Sequence, residues 1–250
     1  MSMSSDSNNH NPHHKLERNF FLMLCFIIAV TAVGGMIEIF PLFKKEISLE
    51  IVEAPRLYTP LELAGFNIYK REGCYNCHSQ QIRKIAEDVD RYGHYSIAAE
   101  SVYDYPFAWG SKRTGPDLAR IGEKYSDDWH MQHLYNPRFV VPQSIMPGYP
   151  FLAKNLLNTS EIQRQMEIMK MLGVPYSDDD ISKYMSDIHI QLGMETNEEL
   201  VKDFLQRYPG VKIRKFNNQT SDITDMDALI AHLQSLGLKL NLQTNKGVQW

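Results

Sequence analysis

The chain has little cysteine: three residues in 250. Three cysteines cannot build a disulfide framework. Cys25 lies inside an apolar run, and the residue before it is Leu24 rather than a small one, which argues against lipoprotein cleavage. Cys74 and Cys77 have no second Cys or His pair at short spacing, so a structural zinc site would lack half its ligands. Basic excess is missing too. The formal net charge is −4, which leaves no footprint for nucleic acid. No internal repeat and no low-complexity run is visible, and the length suits one globular domain with appendages.

What is present is concentrated in Cys74-Tyr75-Asn76-Cys77-His78. C-x-x-C-H is the attachment signature of a c-type haem. Two thiols on one tight turn can add to the two vinyl groups of one porphyrin, and the adjacent His presents a ring nitrogen to the iron. With three Cys and nine His in the chain, chance yields the pattern about 0.001 times. A redox dithiol needs no His at that position.

Phe20 to Ile37 carries no charged residue, long enough for a transmembrane helix. No A-x-A cleavage site follows, so the run reads as an uncleaved anchor. Lys15 and Arg18 precede it and Lys44 and Lys45 follow, so basic residues do not orient it. Haem does: bacterial c-type haem is attached outside the cytoplasmic membrane. The expectation is a single-pass protein of the inner membrane, with its N-terminus cytoplasmic and its haem domain periplasmic. Ala32, Gly34 and Gly35 permit close approach of a second helix, and Glu38 prefers a polar partner. The same residues equally suit a glycine-containing helix end whose Glu38 reaches the interface.

The expected divisions are a tail over 1–18, the anchor over 19–43, a linker over 44–58 and a haem domain over 59–250. Thr59-Pro60-Leu61-Glu62 predicts a helix start, with Thr as N-cap and Pro at the first position. Met226, Leu229, Ile230, Leu233 and Leu236 recur at helical spacing after Thr224, and Gly237 stops them. Ser177 with Asp178, Asp179 and Asp180 predicts another helix to about Ile190, the carboxylates favouring its N-terminus. In 195–220, Thr196 and Glu199 read as a capping box, Leu200 to Arg207 as helix, and Val211 to Phe216 as a strand.

The haem iron has a second axial position. Met146 is the strongest candidate, framed by Pro142, Pro147, Gly148 and Pro150 in a loop that cannot be helical. Met131, Met166, Met169, Met171, Met185 and Met226 fall in helical patterns and read as core. A His ligand remains open among His94, His130, His133, His189 and His232. His/Met ligation would raise the reduction potential relative to His/His. Arg83, Arg113 and Arg120 are candidates to pair with haem propionates, none singled out.

A helix leading into C-x-x-C-H, a late amphipathic helix, and Thr114-Gly115-Pro116-Asp117-Leu118 together resemble class I cytochromes c. That resemblance implies that the first and last helices cross beside the haem. It also implies that the Pro116 carbonyl accepts a hydrogen bond from the His78 ring and that Leu118 packs on the porphyrin. Here His78 and Pro116 are 38 positions apart, so an insertion sits at about 84–112.

Adding Arg91-Tyr92-Gly93-His94-Tyr95-Ser96, Trp109-Gly110-Ser111-Lys112-Arg113, Tyr125-Ser126-Asp127-Asp128-Trp129-His130 and Met146-Pro147-Gly148-Tyr149-Pro150 narrows the likeness. The chain resembles the membrane-anchored mono-haem cytochrome c subunit (CcoO/FixO-like) of cbb(3)-type, C-family haem–copper cytochrome c oxidases. It departs at Lys84-Ile85, where the family usually has Pro-Phe, at His232, where it usually has Tyr, and in the insertion over 195–220. The resemblance implies a mainly α fold, with one N-terminal transmembrane helix and a periplasmic class I-like cytochrome c domain with insertions. It implies one covalently attached haem c held by Cys74, Cys77, His78 and Met146, with iron bound by His78 and Met146. It implies no catalytic site in this chain. The implied partners are a catalytic haem–copper subunit, a di-haem cytochrome c subunit and an electron-donating c-type cytochrome, in a complex that reduces oxygen to water and pumps protons. The runner-up is the mono-haem subunit of a bacterial nitric oxide reductase, which typically lacks the Trp109–Pro116 insertion. A free-standing anchored carrier would not need the Gly/Glu face, and a haem sensor needs a labile iron position.

Overall fold

The structure is a computed structural model, and it describes residues 12–43, 54–216 and 222–240. The chain divides into two units, 1–51 and 52–250. The first carries helix α1 (Pro12–Arg18) and helix α2 (Phe20–Ile39). Asn19 caps α2, its side chain accepting from the Leu22 amide at 3.1 Å. None of α2 is buried, and its length and mean hydropathy of 2.6 suffice to cross a membrane. Its one hydroxyl is satisfied internally: Thr31 Oγ1 donates to the Ile27 and Ile28 carbonyls. That satisfaction is what a bilayer interior demands. The helix gives way at Phe40–Phe43 to a 3₁₀ turn around Pro41.

The second unit is built on the crossing of helix α3 (Pro60–Arg71) and the late helix, α10 (Asp225–Ser235). Each starts in a capping box, Thr59 with Glu62 and Thr224 with Asp227. Every residue of α10 is buried. Gly65 sets the approach: a Cβ there would lie 1.9 Å from the Ala228 carbonyl oxygen and 2.7 Å from His232 Cβ. Only glycine permits backbones that close. Helix α10 stops at Gly237, in the left-handed region at φ +82°.

Between these lie α4 (Ala86–Tyr92), α5 (Asp127–Tyr135), α6 (Thr159–Met171), α7 (Asp178–Ser182), α8 (Tyr184–Gln191) and α9 (Glu198–Arg207). The fold is mainly helical, with no strand among the described residues. Three local expectations are corrected. The helix expected from Ser177 to Ile190 breaks at Lys183, whose backbone (φ −91°, ψ 2°) leaves the helical range. Asn197, not Thr196, caps α9: its side-chain oxygen accepts from the Glu199 and Leu200 amides. Val211–Phe216 forms no strand: it is buried at its two ends, Val211 and Phe216, and not at alternate positions. One backbone bond ties it to α8, the Arg214 amide donating to the Gln191 carbonyl at 2.9 Å, and side chains do the rest: Lys212 and Arg214 pair with Glu123, and Arg214 with Asp127 at 2.6 Å. Positions 217–220 of the expected insertion, and the tail before 12, lie outside the described residues.

Of the helical methionines expected in the core, Met166, Met169 and Met226 are buried, and Met131 and Met185 pack against the core from its edge. Met171 is an exception at 78% exposure: its side of α6 faces outward at the helix end.

Candidate haem-binding site

Helix α3 ends at Arg71 and delivers the chain through Gly73 (φ +70°) into a 3₁₀ turn over Cys74–Asn76. The Cys74 carbonyl accepts from both the Cys77 amide (3.1 Å) and the His78 amide (2.9 Å), closing the turn. Cys74 is partly buried and packed on the core, while Cys77 is exposed. Burial pushes the Cys74 thiol up to about 12, with the Glu72 carboxylate adding to the effect. A redox dithiol works the other way, through a depressed thiol. No three His, Cys, Asp or Glu side chains converge to hold a metal ion among the described residues.

The His78 ring is fixed from two sides. Its Nδ1 lies 2.8 Å from the Pro116 carbonyl, which makes Nδ1–H the donor and leaves Nε2 as the nitrogen free to meet a metal. Gly115 lies against the ring, since a Cβ there would sit 2.2 Å from Cε1 and 2.7 Å from Nδ1. The Gly115 amide donates to the Cys77 carbonyl (3.0 Å) and the Leu118 amide to the Ser79 carbonyl (2.9 Å), so the two segments run together. Residues 109–110 return across the turn. The Gln80 amide donates to Trp109, and Gly110 (φ +61°) leaves 2.5 Å between a would-be Cβ and the Tyr75 carbonyl oxygen.

Met146 stands in an extended loop fastened to the end of α5. The Tyr149 amide donates to the Leu134 carbonyl at 2.7 Å, and Gly148 passes under the Tyr135 carbonyl with no room for a Cβ. The Met146 amide donates to Ser144 Oγ at 3.2 Å. Tyr149 packs at the edge of the same core as Cys74, and burial, then Cys74 and Cys77, raise its phenol above its usual range. Met146, Cys74, Leu118, Met131 and Tyr149 are all partly buried at the edge of one core.

A feature the sequence reading missed runs from Tyr125 onto α5. Tyr125, Trp129 and His133 recur four apart and stack, with ring centroids at 3.9 Å and 4.6 Å. The spacing alone carried that signal. Burial first, then His78, push the His133 pKa below the ordinary value. Its Nδ1 is shut off from solvent without a hydrogen-bond partner. A half-buried apolar rim, a ring held with one nitrogen free and an orphaned donor beside it fit a haem with polar edge groups.

The remaining histidines separate. His232 is fully buried among Tyr58, Phe66 and Tyr69, at centroid distances of 5.4–5.8 Å. Burial holds it neutral, and it serves as the aromatic ring of the helix crossing. His130 is buried against Tyr125 and Trp129. His94 stacks on Tyr95. His189 is half-buried on α8.

The three arginines considered for propionates have other partners. Arg83 and Arg113 both pair with Asp88, and Arg120 with Glu100 at 2.7 Å. The inserted segment brings these carboxylates, which explains the difference.

A comparison with curated proteins returns no match. The family profile described as "Cytochrome C oxidase, mono-heme subunit/FixO" matches residues 13–240. That span runs from just before the apolar helix to the last described residue, so the chain belongs to the mono-haem cytochrome c oxidase subunits of the FixO family.

Proposed function

We propose that this chain takes electrons from a c-type haem donor and passes them through its own haem c toward the haem b and haem–copper centre of a catalytic subunit that reduces oxygen to water. The single observation that carries this reading is the His78 ring, held by the Pro116 carbonyl at Nδ1 within a C-x-x-C-H turn, in a chain of this family. Bound haem c supplies a one-electron iron couple. The chain's own residues do the rest. Cys74 and Cys77 would hold the porphyrin covalently. His78 offers Nε2 to the iron, and the Pro116 carbonyl fixes its tautomer and makes it more basic. Met146 offers its thioether from the proline-framed loop. The apolar rim of Leu118, Met131 and Tyr149 excludes water from the site. No proton transfer is asked of this chain, and with His78 and Met146 both given to the iron, oxygen would have no place to bind. Helix α2 anchors the domain in the inner membrane with 52–250 on the periplasmic side, beside the catalytic and di-haem subunits.

The test is a denaturing gel stained for haem, with an alkaline pyridine spectrum of the purified chain. One covalent haem per chain is expected, and Cys77→Ser should abolish the stained band. Two haems per chain, or an unstained wild-type band, would refute the reading.

A further inference from the structure

The inserted segment that separates the haem motif from Gly115-Pro116 carries a side-chain clamp. Asp88, on α4, is 3% exposed. Its carboxylate takes Arg113 Nη1 at 2.7 Å and Nη2 at 2.8 Å, and Arg83 Nε and Nη2 at 2.9 and 3.0 Å. Arg113 reaches further: its Nε donates to Ser79 Oγ at 2.8 Å and its Nη2 to the Gln81 carbonyl at 2.9 Å. Ser79 Oγ donates to Asp117 Oδ2 at 2.6 Å, and Asp117 also accepts from the Gln81 and Ala119 amides. Ser79 follows His78 directly. Arg113 and Asp117 bracket the turn whose Pro116 carbonyl accepts from the His78 ring. The network therefore joins the two chain segments whose separation sets that hydrogen bond.

The geometry points to Asp88 and Arg113 as positioning residues that, through Ser79 and Asp117, hold the Pro116 carbonyl against the His78 ring and so set the haem's reduction potential. The inference rests on the haem reading above and adds the inserted segment's role. A bidentate guanidinium–carboxylate pair gives direction as well as attraction, and lysine cannot replace it. Partners of a ligating histidine tune the metal through the ligand's basicity. Loosening the clamp weakens the Nδ1–H···O bond, makes His78 a poorer donor and stabilises the ferric state less. The potential then rises.

The experiment uses the full-length, haem-loaded chain in detergent, comparing wild type with Arg113→Lys, Asp88→Asn, Asp88→Glu, Ser79→Ala and Arg83→Gln. The pyridine spectrum first establishes one haem c in each, so failure of the haem reading shows separately. Redox titration and the g values of the ferric low-spin signal are then read. Arg113→Lys keeps the charge and breaks the fork; it should raise the potential and move the g values. Asp88→Asn should do the same, and Asp88→Glu should partly restore both. Arg83→Gln, which loses only the partner that is itself 62% exposed, should leave both as in wild type. Ser79→Ala removes one hydroxyl and no charge, and should shift both in the same direction; it decides the matter if an ionic variant does not load haem. Wild-type potential and g values in Arg113→Lys, or in Ser79→Ala where that variant stands alone, would overturn the proposal. So would a downward shift in Arg83→Gln with Arg113→Lys silent, which marks a pure charge effect.

Discussion

At the scale of residues, the site depends on what stands next to each ligand. Gly115→Ala would put a Cβ 2.2 Å from His78 Cε1, so the ring must leave the Pro116 carbonyl. Haem loading of that variant, read from the pyridine spectrum, should fall severalfold. Met146→His should keep a low-spin haem and lower its potential, because His/Met ligation is the high-potential choice. An unchanged potential would point to another sixth ligand. His130 offers a pH test. Burial, then His133 and Arg214, push it down to about 4. An unfolded chain takes up that proton near 6.5. The unfolded state therefore binds more protons between about 6.5 and 4, and His130 lowers stability as pH falls through that window. Denaturant midpoints across it should fall less steeply in His130→Gln. The attachment residues were legible because their chemistry requires adjacency in sequence. The clamp was not: Asp88, Arg113 and Ser79 come together only when the inserted segment folds back.

At the scale of elements, the two capped helices were legible from local rules, since N-caps and apolar spacing act within a few residues. The closeness of their crossing was not legible, because it depends on Gly65 meeting Ala228. Gly65→Ala should cost about 1–3 kcal/mol or more through overpacking, read by denaturant unfolding. The segment over 195–220 looked like an unassigned insertion, yet α9 within it is anchored by a buried ion pair. Arg207 donates to Asp187 at 2.6 and 2.7 Å and also meets Asp180 and Asp203. Burial outweighs that pairing and leaves the Asp187 carboxyl above its usual range. The pair itself therefore adds little, but Arg207→Ala would strand a carboxylate that is 1% exposed and cost about 3 kcal/mol. Asp187→Asn in the same background should recover much of that loss. For the anchor, Gly34 and Gly35 have nothing within 4 Å. Replacing both with Leu should leave membrane insertion intact. On the reading of a docking face, it should also reduce co-purification with the oxidase core. Full assembly of that variant would remove the docking role and keep the anchor.

At the scale of the molecule, the division into an apolar helix and a haem-bearing unit follows from two incompatible solvents. A helix with no buried residue and no unsatisfied hydroxyl suits lipid, and a core closed on aromatic and aliphatic side chains suits water. On the proposed function the whole chain has one task, moving electrons to an oxygen-reducing partner without meeting oxygen itself. The most direct measurement starts with the isolated full-length chain, reduced and mixed rapidly with oxygen, first alone and then with the oxidase core added. Its haem should stay reduced alone on the timescale of turnover and be oxidised at the turnover rate once the core is present. Oxidation of the isolated chain at oxidase-like rates, or a haem that stays reduced beside an active core, would contradict it.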